Sequence, residues 1–194
     1  MKKIGILNLE INNIKSIYSA SKLISETYIL NHSDDYQINT GTLILPGNGK
    51  FSHGMKSIMQ KKFTKLITEH LSNGNKLIGI CLGMQLLMNK SAESNDVDGL
   101  GLIEGIVKII PEKKYKIPLI GWYNVSFKNM FFEDGSFFFN NKYFVTPVDK
   151  LLSIGILNND LPVFIKKHNI YGLQFHPEKS AQKGIDFLKK VINS

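Results

Sequence analysis

The chain has 194 residues, 43% hydrophobic and 21% charged, a composition typical of a globular domain with one full core and not of a disordered chain. No apolar run reaches the roughly 18 to 20 residues that span a bilayer, so we expect no membrane-spanning helix. The net charge is +8, yet every basic residue is lysine; because arginine is the residue that forks onto phosphates and guanine edges, we interpret the charge as a solvated surface and expect no nucleic-acid partner.

Short apolar strands alternate with helix-like segments through the first half of the chain, which is typical of parallel strands joined by crossover helices. The opening MKKIGILNLE has a basic start, but Asn8 and Glu10 interrupt its apolar part where a signal peptide would continue. We therefore interpret it as the first strand of a cytoplasmic protein. The next predicted elements are a helix over 13–25, strands at 27–31 and 42–47, one helix from 53 to about 72, and a strand over 76–80 that leads into a helix over 82–89.

From Gly99 onward, β-rich runs are separated by Asn, Asp, Gly and Pro. Such runs are typical of hairpins or of antiparallel strands added to a sheet. A closing amphipathic helix is predicted from Ala181 to Ile192, with a buried face formed by Ile185, Leu188, Val191 and Ile192. We predict one α/β domain over residues 1–194 with a β-rich addition.

The only cysteine, Cys81, lies in LIGICLGMQLL between Gly79 and Gly83, at the joint of a predicted strand and a predicted helix. A Gly-x-nucleophile-x-Gly turn at such a joint exposes a reactive side chain on a sharp bend, and the glycines relieve crowding around it. The helix start would favour a thiolate, and the backbone N–H of Leu82 would be placed to hold an oxyanion. On this segment alone, a small buried thiol near a helix start explains the sequence equally well.

A candidate base lies near the C-terminus, where GLQFHPEKS places His176 and Glu178 two residues apart. Side chains at i and i+2 of an extended chain point to the same side, so the carboxylate can orient the imidazole for a cysteine nucleophile. Taken alone this pair is a weak signal. The other histidines have no comparable context, and we interpret them as surface or helix residues: His32, His53, His70 and His168.

A third segment, LILPGNGKF, runs from an apolar strand into the loop Pro46-Gly47-Asn48-Gly49. Such a loop exposes backbone N–H groups at the sheet edge where α/β folds place their sites. It lacks the lysine and hydroxyl of a nucleotide-binding loop. A loop that stabilises an oxyanion therefore fits it better.

Together these segments resemble the class I glutamine amidotransferases over essentially the whole chain. The motifs that carry the resemblance are, in order, PGNGKF, GICLGMQLL, GLGLIEG, GWY, YFV and QFHPEKS. The resemblance implies a flavodoxin-like three-layer α/β fold with a mostly parallel central sheet and a β-rich C-terminal half. It also implies that Cys81 attacks the side-chain amide of L-glutamine and that His176, oriented by Glu178, transfers the protons, with no cofactor and no metal.

The resemblance also assigns the residues around the nucleophile. Four would hold the oxyanion: Gly47, Asn48, Gly49 and Leu82. Gln85 and Glu93 match residues that grip the substrate. Within the family, the motifs are similar to those of the glutaminase subunits of histidine biosynthesis. That similarity implies a heterodimer with a (β/α)₈-barrel synthase subunit, which receives the ammonia and forms imidazole glycerol phosphate and an aminoimidazole carboxamide ribotide.

Three segments depart from the family pattern. The turn after the first strand reads NLEINN and keeps only Asn13 and the later Ser16 of the family pattern. Residues 118–123 read PLIGWY in place of Pro-His-Met-Gly-Trp-Asn. Residues 144–148 read FVTPV in place of Phe-Val-His-Ser-Tyr, and Pro147 removes a backbone N–H near the glutamine site. These departures leave open a paralogue that supplies ammonia to a barrel partner for sugar amidation in surface polysaccharide synthesis. A catalytically silent regulatory scaffold, and a cysteine hydrolase acting on peptides or γ-glutamyl bonds, are the further alternatives.

Overall fold

The computed structural model describes residues 2–11, 14–128, 131–148, 153–158 and 160–194. Within these ranges the helices are α1 (Ile14–Lys22), α2 (Phe51–Gln60), α3 (Phe63–Ser72), α4 (Leu82–Leu86) and α5 (Ala181–Asn193). The strands are β1 (Lys3–Leu7), β2 (Thr27–Leu30), β3 (Thr40–Leu45), β4 (Lys76–Ile80), β5 (Lys90–Ser91), β6 (Gly105–Ile109), β7 (Leu119–Phe127), β8 (Gly135–Asn141), β9 (Tyr143–Pro147), β10 (Ser153–Leu157), β11 (Leu161–Lys167) and β12 (Ile170–Leu173). None of the helices in the described ranges has the length and apolar character needed to cross a lipid bilayer.

Nine of the described strands form one mixed sheet, in the order β2-β1-β3-β4-β12-β11-β10-β7-β8. The four pairings from β2 to β12 are parallel. The four pairings from β12 to β8 are antiparallel. The expectation of a mostly parallel sheet therefore holds only for one half. The β-rich second half of the chain enters the same sheet through short connections, and a short connection can join only antiparallel neighbours.

Helices cover the parallel half on both faces, which gives three layers. Apolar residues occupy successive positions in the central strands: Ile44 faces a core that includes residues of α1 and α5, and Leu43 and Leu45 face a core that includes residues of α2, α3 and α4. Strands buried on both faces read as continuous apolar runs, as the sequence does here. The three remaining described strands form a small sheet in the order β5-β6-β9.

The single helix predicted from His53 to about Ser72 is two helices. α2 ends at Gln60 and α3 begins at Phe63, and Lys62 between them has a φ of 57°. A left-handed residue cannot continue a right-handed helix, so the helix breaks there. The helix after Cys81 is also shorter than predicted, because the N–H groups of Leu87 and Met88 bond three residues back and tighten the last turn.

The closing helix is confirmed as α5, but its buried face differs from the prediction. Gly184, Phe187, Leu188 and Val191 are buried, whereas Ile185 and Ile192 are half-buried. The Phe187 ring lies 4.7–5.4 Å from five other aromatic rings, those of Phe127, Phe132, Phe137, Phe164 and Phe175. This aromatic cluster fixes α5 to the antiparallel half of the sheet. Asn12 and Asn13, the latter the kept residue of the first departing segment, lie outside the described residues.

His70 in α3 is a helix residue, as predicted, but it is buried. Its Nε2 donates to the backbone oxygen of Lys76 at 2.9 Å, which leaves Nδ1 to accept from the Tyr36 hydroxyl at 2.8 Å. Burial lowers the pKa of His70 to about 4, against an opposing effect of the bond to Lys76. His70 is therefore a neutral cross-link between α3, the segment after β2 and the start of β4.

Folding stability is expected to fall as the pH decreases from about 6.5 to about 4. In that window the unfolded chain takes up a proton at residue 70 and the folded chain does not, which costs up to about 3 kcal/mol. Urea unfolding at several pH values would measure the slope. The variant His70→Gln should show a flatter pH dependence, whereas His53→Gln, at an exposed position in α2, should keep the wild-type slope; equal slopes for all three proteins would contradict this prediction.

Candidate active site

Cys81 occupies a strained turn between β4 and α4, with φ 55° and ψ −110°. Its N–H donates to the backbone oxygen of Leu173 at 2.7 Å, which holds the turn against β12. The flanking glycines are required by close packing: a Cβ at Gly79 would lie 2.6 Å from the Gly83 oxygen, and a Cβ at Gly83 would overlap the oxygen of Leu45. Backbone conformations of this kind cost on the order of 1–3 kcal/mol and persist only where the surroundings enforce them.

A cavity of about 300 Å³ contains the thiol, at the small end of the range for ligand pockets. It is lined by Asn48, Gly49, Cys81, Leu82, Gln85, Glu93, Asn140, Asn141, Lys142 and Tyr143. A larger groove of about 780 Å³ runs along α5, but none of these residues lines it. Within the described ranges, no three His, Cys, Asp or Glu side chains are grouped as they would be around a metal ion.

His176 follows β12, which is parallel to β4 and pairs with it in register Leu173↔Ile80. The residues that follow these two strands therefore emerge at the same edge of the sheet. The Nδ1–H of His176 donates to Glu178 Oε1 at 2.8 Å, and both side chains are more than nine-tenths buried. Nε2 is buried and has no hydrogen-bond partner of good geometry among the described residues.

The charge state of His176 depends on its neighbours. Burial lowers its pKa, but the charge and hydrogen bonding of Cys81, together with those of Glu178, outweigh burial and raise the pKa to about 10. At neutral pH His176 is therefore an imidazolium. Cys81 and His176 interact by charge and by hydrogen bonding and so form one coupled pair.

The predicted oxyanion loop lies directly on the nucleophile turn. A Cβ at Gly47 would be 2.8 Å from Leu82 Cβ, and Asn48 and Gly49 line the cavity. The Leu82 N–H, however, donates to the Gly47 oxygen at 3.4 Å. The structure thus brings together all four residues predicted to hold the oxyanion, with the Leu82 donor occupied by a long bond to the loop.

Both residues matched to substrate binding line the cavity. Gln85 is buried, and its Nε2 donates to the backbone oxygen of Tyr143 at 3.3 Å and to Gln174 Oε1 at 3.2 Å. Glu93 Oε2 accepts the backbone N–H of Phe51 at 2.7 Å, at the first residue of α2. Glu93 therefore connects the cavity to the helix that follows the oxyanion loop.

The sequence analysis missed two sets of residues at this site. The segment 140–143, where β8 turns into β9, supplies part of the lining and had no local signal, because it reaches Cys81 only through the tertiary fold. Gln174 is buried against Cys81, with its Nε2 3.8 Å from Sγ. The only signal for Gln174 in the sequence was its place two residues before His176, because β12 ends at Leu173 and the chain bends at 174–175.

Pro147 lies on the edge of β9 that faces the site but does not line the cavity. The N–H of Val148 donates to the backbone oxygen of Glu104, the residue before β6, at 3.0 Å, so the missing N–H of Pro147 belongs to the opposite edge of β9. Tyr143, four residues earlier, uses this edge when its oxygen accepts from Gln85. A proline is tolerated at such a position because no strand partner needs the lost donor.

Comparison with known proteins assigns the chain to a family. Residues 10–192 match the model of the family Glutamine amidotransferase class-I. The chain is 34% identical over 202 residues to the imidazole glycerol phosphate synthase subunit HisH of Geobacillus sp. (strain WCH70), covering 98% of this chain and 96% of that protein. It is 35% identical to the subunit of the same name from Bacillus anthracis, over 96% of this chain and 92% of that one.

Two solved structures have the same fold. One is a crystal structure of a glutamine amidotransferase, with a TM-score of 0.80 and 16% identity over 98% of this chain and 99% of that chain. The other is the structure of PurLQS from Thermotoga maritima, with a TM-score of 0.77 and 17% identity over 99% and 98%. At these identities the likeness shows the fold alone, whereas the family model and the curated relatives cover nearly the whole sequence. The chain belongs to the class I glutamine amidotransferase family.

Proposed function

We propose that this chain, as a single domain over residues 1–194, is the cytoplasmic glutaminase subunit of an imidazole glycerol phosphate synthase. It hydrolyses L-glutamine to glutamate and ammonia, and the ammonia passes to a (β/α)₈-barrel subunit in histidine biosynthesis. The observation that carries the proposal is the coupled pair of Cys81 and His176, with Glu178 behind it, in a chain similar to HisH proteins over nearly their full length.

The proposed chemistry has two stages. The Cys81 thiolate adds to the carbonyl carbon of the glutamine side chain, and the resulting oxyanion collapses with cleavage of the C–N bond while His176 gives its Nε2 proton to the leaving nitrogen. Water then adds to the thioester and loses a proton to His176. Collapse of this second intermediate releases glutamate and restores the thiolate and the imidazolium. Glu178 keeps Nε2 directed to the reacting atoms by binding Nδ1–H.

Two charged side chains that line the cavity, Glu93 and Lys142, match the charged groups of an amino-acid substrate. Glu93 uses Oε2 to bind Phe51, which leaves Oε1 for the α-ammonium group of glutamine, and Lys142 lines the same cavity as a cation for the α-carboxylate. Burial, and next the Glu93 carboxylate, raise the pKa of Tyr143, so this carboxylate lies near the Tyr143 ring. Simple amides would lack both charged contacts.

An exposed apolar surface beside the base supports a protein partner. Ile120 and Trp122 on β7 are 60% and 53% exposed, and the Trp122 ring makes an edge contact with Phe138 on β8. The backbone oxygen of Phe138 accepts the N–H of His176 at 2.8 Å. Contiguous exposed apolar groups mark interaction sites. Phe138 connects this surface to His176, the proposed base. We propose that the barrel subunit docks here as a heterodimer.

The sugar-amidation alternative rests on the departures at 118–123 and 144–148, which include Ile120 and Val148 on the surface. Both readings require the same glutaminase chemistry and differ in the partner. The similarity to HisH proteins favours histidine biosynthesis. The coupled pair of Cys81 and His176 opposes a catalytically silent scaffold.

Glutamate release should be strongly stimulated when the chain is mixed with the barrel subunit of the source organism's histidine pathway and its nucleotide ligand. The measurement compares glutamate release by the chain alone and in this mixture. If Cys81 is protected from alkylation by glutamine and yet the histidine-pathway subunit gives no stimulation, the partner is another synthase and the sugar-amidation alternative is favoured. If glutamine gives no protection, the glutaminase proposal itself is wrong.

The variant Cys81→Ser should lose glutamine hydrolysis by more than about 10³-fold, because an unactivated hydroxyl replaces the thiolate in the pair with His176. Size-exclusion chromatography with the barrel subunit should show unchanged complex formation, since the replaced atom lies inside the cavity. Residual hydrolysis near the wild-type rate would assign the nucleophile to another group.

Two substitutions at Glu93 should separate its contacts. Glu93→Gln keeps an acceptor for the Phe51 N–H but loses the charge, so KM for glutamine should rise about tenfold or more with kcat nearly unchanged. Glu93→Ala loses both contacts and should lower kcat as well, because the helix that follows the oxyanion loop is released. Steady-state kinetics of the complex would test this, and equal kcat values for the two variants would contradict the link to α2.

A further inference from the structure

Gln174 is a fully buried amide whose polar atoms both have partners at the proposed nucleophile. Its Oε1 accepts from Gln85 Nε2 at 3.2 Å, and its own Nε2 lies 3.8 Å from Cys81 Sγ. The sulfur also contacts the backbone oxygen of Asn140 at 3.9 Å, where a thiol would donate. Cys81 therefore lies between one donor, which favours the thiolate, and one acceptor, which favours the thiol.

The orientation of the Gln174 amide is determined by a chain of hydrogen bonds that ends on a backbone carbonyl. The Tyr143 oxygen can only accept, so Gln85 must turn its NH₂ group toward it. The second hydrogen of that NH₂ group reaches Gln174, so Gln174 must present its oxygen there. The Gln174 NH₂ group then has to face the sulfur. An amide that could flip freely would offer oxygen and nitrogen to the sulfur in turn, and this chain prevents the flip.

We infer that Gln174 is a hydrogen-bond donor that stabilises the Cys81 thiolate, and that Gln85 is the positioning residue that keeps this donor directed at the sulfur. The inference rests on the proposed function only in that Cys81 is the nucleophile. Gln174 and His176 both lie in the segment that follows β12, and the first supplies a neutral donor where the second supplies a charge. Gln85 thus orients the Gln174 amide in addition to lining the cavity.

If Gln174 donates a hydrogen bond to the thiolate, removing it changes the pH at which Cys81 becomes reactive, which loss of a packing contact would not do. Hydrogen bonds to charged groups are stronger than those between neutral groups, so removing this donor should shift the titration of the sulfur toward higher pH. Loss of packing alone would change the access of reagents to the thiol and not the pH at which it becomes reactive. The other titratable groups that face the sulfur or line its cavity are the same in every variant below: His176 and Glu178 at the base, and Glu93, Lys142 and Tyr143 in the cavity.

The test is the pH profile of Cys81 alkylation by iodoacetamide in the purified full chain, followed by mass spectrometry. Because the sequence has one cysteine, all labelling reports this site. In Gln174→Met the midpoint of the profile should rise by about one pH unit or more. Gln85→Met should shift the midpoint in the same direction by a smaller amount.

Two further variants serve as controls for the alkylation profile. The double variant should shift the midpoint no further than Gln174→Met alone, because Gln85 acts through Gln174. Gln60→Met, at an exposed position of α2, should keep the wild-type midpoint. An unchanged midpoint in Gln174→Met would overturn the inference. If that variant fails to fold, an unchanged midpoint in Gln85→Met overturns it instead. Alkylation needs neither glutamine nor a partner, so failure here is distinct from failure of glutamine to protect Cys81.

Discussion

The approach of α4 to the end of β3 is the constraint on which the site depends. A side chain at Gly83 would overlap the backbone oxygen of Leu45, so only glycine allows the helix to lie this close to the strand. With α4 in this place, the chain can leave β4 only through a sharp bend, and Cys81 has the positive φ of that bend. Because β3 continues from Leu45 into the Pro46–Lys50 loop, the same contact sets the distance from this loop to the nucleophile. The strain at Cys81 and the position of the loop therefore have one cause.

A buried charged pair at this bend needs more than its own attraction. Removing ions from water is expensive unless they are paired and their remaining polar atoms are hydrogen-bonded. Cys81, His176 and Glu178 are each more than nine-tenths buried, so little water is present to stabilise a charge on any of them. Polar donors in the wall reduce that cost, and Gln174 is such a donor with no charge of its own. The neutral amides of the cavity thus belong to the electrostatics of the pair.

The site could be predicted from the sequence wherever its residues are close in the chain. Cys81 between two glycines carries its geometry in its spacing. His176 and Glu178 also meet, but not in the extended chain from which their contact was predicted, because Pro177–Lys179 form a short 3₁₀ helix that begins directly after His176. The structure brings Cys81 and this pair together. What could not be predicted depends on contacts between distant segments. The break at Lys62 leaves the apolar pattern of the helices intact, and the lining from 140–143 arrives through the antiparallel half of the sheet. Local periodicity contains no information on either.

The two halves of the mixed sheet hold Cys81 and His176 differently. Cys81 is carried by β4 and backed by β3, inside the parallel half. His176 follows β12 at the boundary, and its backbone N–H rests on Phe138 of β8, whose own N–H donates to Ser180 Oγ at 2.9 Å. The same hydroxyl donates to the His176 oxygen at 2.6 Å, so β8 holds the His176 backbone directly at its N–H and through Ser180 at its oxygen. The exposed Trp122 ring contacts Phe138, so the surface proposed for the barrel subunit touches the strand that supports His176 and not the strands that carry Cys81.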